Sequence, residues 1–214
     1  LARKGVFYAL LAAIVLGGAA EVTMAQWASA FLEKGLQLPK LAGDVWGVCF
    51  FSLMLALGRS GYAALGARVP LHRLLIGGSG AAAVLYVVCA LAPSPLLGVL
   101  ACGLTGLCVS LLWPGAIILA SRRIPSAGAA MFALLSAGGD VGASLGAFCV
   151  GRAADWAQAS GTVFAGAAGE SGALRAGLLL AAVFPLLCCG VHTALHCSEA
   201  RAGLPAGSER RRRQ

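Results

Sequence analysis

Glu21 and Asp140 each interrupt a long apolar stretch, in GGAAEVTMAQWASAF and SAGGDVGASLG. A carboxylate among residues that suit lipid costs roughly 3 kcal/mol to insert, so it is kept facing a neighbouring helix or a watery path. Two readings are open for both acids. Each is either a proton carrier near a solute, or a structural group bonded to an adjacent helix. On helical spacing Gly17, Ala25 and Ala28 share the face of Glu21, a small-residue stripe that permits close approach. Thr23, Gln26 and Trp27 lie on another side. A flat ring beside an amide suits a small polar solute, with the ring on C–H surface and the amide on hydroxyls. The ordinary alternative is a tryptophan at the membrane interface.

Trp113-Pro114-Gly115 predicts a kink, because Pro114 removes a backbone hydrogen bond. The kink frees carbonyls and can aim Trp113 at a cavity. Around Asp140, Gly138, Gly139, Gly142 and Gly146 allow close helix approach or a bend. His192 and His196 have the i, i+4 spacing of a metal pair, but no carboxylate accompanies them. They read as interfacial histidines, and no metal or cofactor is expected. Gly77-Gly78-Ser79-Gly80 resembles a nucleophile turn, and with His192 it raises the alternative of a six-helix intramembrane serine protease. Against an enzyme, the chain contains no Asn to help form an oxyanion hole, and Gly-Ser runs are common packing seams in membrane helices. A membrane scaffold without transport activity is the other alternative. The eight cysteines lie almost all in apolar runs without a CxxC pair, and read as small buried hydrophobes.

The elements that must position these residues are membrane helices. Of 214 residues 59% are hydrophobic and 11% charged, where a soluble domain carries about 25% charge. Mean hydropathy is +0.87. Six stretches are long enough to cross a bilayer, at about 5–32, 41–58, 74–92, 96–120, 128–150 and 174–196. They make one bundle over 1–197, followed by a basic tail over 198–214, with a Gly/Ala/Ser-rich loop at 151–173. Twelve of the 16 basic residues fall on the side of the termini, among them Arg59, Arg68, Arg73, Arg122, Arg123 and Arg210 to Arg213. The other side holds Lys34, Lys40, Arg152 and Arg175. The positive-inside rule then puts both termini in the cytoplasm. The net charge of +8 marks topology and anionic lipid rather than nucleic acid. The chain opens on Leu and goes straight into an apolar run, which points to a fragment.

In this order and spacing the chain resembles the C-terminal six-helix half of a major facilitator superfamily transporter, in its fucose-permease-like branch. Four stretches carry the resemblance: GGAAEVTMAQWASAF in the first helix, GRSGYAALGARVPLHR after the second, LLWPGAIILASRRIP in the fourth, and SAGGDVGASLGAFCVGRAAD in and after the fifth. The basic loop lacks the Asp of the full superfamily signature. The resemblance implies an all-α half-transporter of the inner membrane. Solute, possibly a sugar by branch, would bind at the midplane against a missing N-terminal six-helix half, and access would alternate. It makes Gln26, Trp27, Thr23 and Trp113 candidates for solute binding and Glu21 and Asp140 candidates for coupling to H+. Arg59, Arg68, Pro114 and Asp155, the last closing Gly151-x-x-x-Asp155, become gating or topology positions.

Overall fold

The computed structural model describes residues 2–65, 69–124, 128–161 and 163–201. Helix α1 (Ala2–Ala30) continues into a π-helical turn, Phe31–Gly35. Helix α2 (Lys40–Gly43), a π-helical turn at Asp44–Cys49 and α3 (Phe50–Leu65) form the second pass. Then come α4 (Leu71–Ala90), α5 (Pro95–Val109), α6 (Leu112–Arg123), α7 (Ala129–Ala159), α8 (Gly169–Ala181) and α9 (Val183–Arg201). Six of the resulting rods are long and apolar enough to cross a membrane: Gly5–Gly35, Lys40–Ala64, Leu71–Ala90, Pro95–Arg123, Ala129–Ala159 and Gly169–Ser198. The protein is therefore an all-helical, multi-pass membrane protein, and an even number of passes puts both ends of the bundle on one side. The expected loop at 151–173 is shorter. The fifth helix runs on to Ala159 and the sixth span begins at Gly169, because RAADWAQA after Gly151 holds no proline or glycine and its alanines favour helix.

Prolines set the breaks. Pro39 and Pro70 stand immediately before helices, and Pro95 opens α5 with the Ser94 hydroxyl accepting from the Leu97 N–H at 3.4 Å. Pro114 and Pro185 sit in the first turns of α6 and α9, so each splits a span in two.

Four spans form a front layer in the order fifth, first, fourth, second. The third and sixth lie behind it. Exchanging the first three spans for the last three maps most neighbours onto one another. First-on-fifth becomes fourth-on-second, and first-on-sixth becomes fourth-on-third. The exception is that the sixth span packs along the fifth while the third stands apart from the second. The two equivalent front seams are both built on glycine. A Cβ on Gly142 would run into the Val15 carbonyl of the first span, and one on Gly106 into the Phe51 carbonyl of the second.

Behind the layer, hydrogen bonds tie the spans together. The Tyr86 hydroxyl donates to the Ala20 carbonyl at 2.7 Å, and the thiols of Cys89 and Cys102 pack 3.3 Å apart. At the end away from the termini, buried Arg175 donates to the carbonyls of Ala92, Ala90 and Gly35 at 2.9, 3.2 and 3.5 Å. One planar fork thus closes three loop ends. Arg175→Lys keeps the charge but not the fork. We expect it to lose about 1.5 kcal/mol of unfolding free energy in a denaturant titration in bicelles.

Candidate functional site in the front layer

Pro114 decides the geometry of the site. In an α-helix the N–H of residue 114 would bond the carbonyl of residue 110. Proline has no N–H, so the Ser110 carbonyl is left without its helical donor. The chain turns at Ser110 and Leu111, between α5 and α6. Arg59, from the second span, fills the vacancy: its Nε donates to the Ser110 carbonyl at 3.1 Å. The approach is close because Gly58 has no Cβ, which would otherwise strike the Ser110 side chain.

Held there, Arg59 turns its Nη2 onto Oε1 of Glu21 in the first span, at 2.7 Å. Glu21 is 9% exposed. Its other oxygen, Oε2, has no hydrogen-bond partner. The Arg59 side chain is 45% exposed, so the guanidinium joins the pair at one edge and opens outward at the other. Glu21 and Ser110 lie 14 and 15 residues inside the far ends of their spans at Gly35 and Pro95. At 1.5 Å per residue that is roughly 21–23 Å deep, within an apolar layer of about 30 Å. Three front-layer spans therefore meet at one intramembrane ion pair.

The predicted small-residue stripe beside Glu21 is a real seam: a Cβ on Gly17 would stand 3.0 Å from Cβ of Leu112 in α6. The other candidates disperse. Thr23 is buried against Gly146 in the seam with the fifth span, and its hydroxyl has no partner. Trp27 packs over Gly151 and donates from Nε1 to the Ala147 carbonyl at 3.2 Å, so its polar edge is engaged within the bundle. Gln26 is exposed one turn from Glu21. Trp113 lies over Gly139. Asp140, next to Gly139, is exposed. Glu21 and Asp140 thus do not share a pocket, and Gln26, Trp27 and Thr23 do not form one cluster.

Asp155 is exposed and pairs with Arg152 at 3.8 Å on its own helix. Arg68 and the basic run at 210–213 lie outside the described residues. Ser79 is buried and donates to the Leu75 carbonyl at 2.6 Å, not to His192. His192 is 2% exposed with neither ring nitrogen bonded, while His196 stacks on His72 across the helices at 5.0 Å. Among the described residues no group of three His, Cys, Asp or Glu could hold a metal ion.

Sequence reasoning placed Arg59 at a helix end and missed its tie to Glu21. The available signal was Pro114, which predicts a free carbonyl four residues earlier. Nothing in the sequence says which donor takes it. No family model, curated protein or solved structure matches the chain.

Proposed function

We propose that the protein is one six-helix half of a secondary active transporter of the major facilitator type, moving a small polar solute by alternating access. The Glu21–Arg59 pair carries this reading. An ion pair inside the apolar layer, with one carboxylate oxygen free and one guanidinium edge open, is costly to insert and fits a solute or proton path. The neighbour pattern supports it. Two sets of three spans with matching contacts must run in opposite directions, because three is odd, and inverted repeats of this kind frame midplane binding sites in transporters. The second six-helix half packs on the front layer, two of whose spans carry the exposed Gln26 and Asp140. Both termini face the cytoplasm of an inner-membrane protein, since 11 of the 16 basic residues sit on that side with Arg59 counted inside the membrane. Glu21 is the coupling residue for H+.

The test is accumulation of labelled small polar solutes, monosaccharides and monocarboxylates, by vesicles from cells expressing the protein, under an imposed proton gradient. Glu21→Gln should abolish gradient-driven accumulation and preserve solute exchange. Accumulation that survives the substitution would overturn proton coupling through Glu21. A wild type that moves no solute in either mode would overturn transport.

A further inference from the structure

We propose that the outward edge of Arg59 binds the carboxylate of an anionic solute, and that each anion binds together with one proton delivered to Glu21. The proposal rests on the transport reading only in treating the front layer as the solute path. The site itself stands on its own geometry.

A guanidinium carries five N–H donors and no acceptor. In Arg59, Nε is committed to the Ser110 carbonyl and one Nη2 hydrogen to Glu21. Nη1 bonds nothing among the described residues, and the side chain is 45% exposed. The free edge is planar, fixed in direction by two bonds to the bundle, and shaped to take a carboxylate. A neutral sugar would leave that edge without an anionic partner.

Charge counting supplies the proton. Arg59 and ionised Glu21 sum to zero. An added carboxylate would leave one net negative charge deep in the membrane, where charge is poorly solvated. Proton uptake by Glu21 restores neutrality. The proton comes from water and goes to Oε2, the buried oxygen with no partner, while Oε1 stays on Nη2. No other bond is made or broken. Arg59 is the one charge that bears on Glu21 among the described residues. The other elements packed on the first span present the Tyr86 hydroxyl and the Cys188 thiol, each bonded to a carbonyl of that span, the Ser110 hydroxyl, bonded to Leu107, and the Asp44 carboxylate, which accepts from the Ser29 hydroxyl two turns along from Glu21. Asp140 is exposed on α7. Binding is therefore electroneutral and weakens as pH rises, because ionised Glu21 competes with the anion for Arg59.

The experiment is calorimetry of the protein in nanodiscs with sodium lactate, using glucose as the neutral control. Two buffers of different ionisation enthalpy count the protons. Wild type should bind lactate with uptake of one proton and should not bind glucose. Glu21→Gln, which keeps the side-chain shape, should bind lactate with no proton uptake and no pH dependence. Arg59→Gln in the Glu21→Gln background leaves no unpaired charge, so it tests binding without risking the fold. It should lose affinity by roughly 10- to 100-fold relative to Glu21→Gln alone. Three results would overturn the proposal: no lactate binding by folded wild type, binding without proton uptake, or undiminished binding in the double variant. Lactate binding with proton uptake but no movement of lactate in vesicles keeps this site and sinks transport. Accumulation of a sugar with no lactate binding does the reverse.

Discussion

Arg59→Ala should destabilise the bundle by roughly 3 kcal/mol, and adding Glu21→Gln should recover most of that loss. Removing one partner of a buried pair costs more than removing both, because the survivor remains as an uncompensated charge. Glu21 is 9% exposed and its Oε1 has Arg59 as partner, while Oε2 has none. Without Arg59 the carboxylate has no counter-charge among the described residues. The figure sits at the low end for a broken buried pair because the Arg59 side chain is nearly half exposed. Part of the loss also comes from the Ser110 carbonyl, which Pro114 deprives of any helical donor. Unfolding free energies of wild type, both single variants and the double variant form a cycle that isolates the pair. A double variant whose loss equals the sum of the two single losses would show that the pair is not coupled.

Gly142→Leu should cost about 3 kcal/mol or more by prising the fifth span from the first. The obstacle is backbone on both sides. A Cβ on Gly142 meets the Val15 carbonyl, and one on Gly18 meets the Gly139 carbonyl, so no flexible side chain can give way. Small residues in membrane helices serve this close approach, which supplies packing energy where lipid offers no hydrophobic contrast. Ser144→Leu, two residues along on the exposed face of the same helix, is the control and should shift stability by less than about 0.5 kcal/mol. Unfolding measured in bicelles separates the two. A Gly142→Leu protein as stable as the Ser144→Leu control would mean the seam is looser than its geometry.

The helices were legible because a span needs only length and apolarity, and both are local. Six were expected and six are present among the described residues, with errors confined to ends such as Ala159, where nothing local stops the helix. The site was half legible. Glu21 declares itself as a carboxylate in an apolar run, and Pro114 as a gap in a hydrogen-bond ladder. Arg59 read as a loop anchor because it stands near a span end with Arg68 and Arg73. Only the crossing of the second span over the fourth, at Gly58, turns it inward. Trp27 was misleading for the same reason: its ring could suit a solute, but the neighbouring helix offers it the Ala147 carbonyl.

Composition and periodicity by themselves determined an all-helical membrane chain of six passes, with its basic residues weighted to one side. They also fixed the places where a carboxylate or a proline must find an unusual solution. Which partner each one finds was decided by tertiary packing. Glu21 and Arg59 are 38 residues apart in the chain, and Arg59 and Ser110 are 51 apart. A pair that distant forms only when glycine seams let three helices close to backbone contact, and that distance of approach is a property of the assembled bundle rather than of any one span.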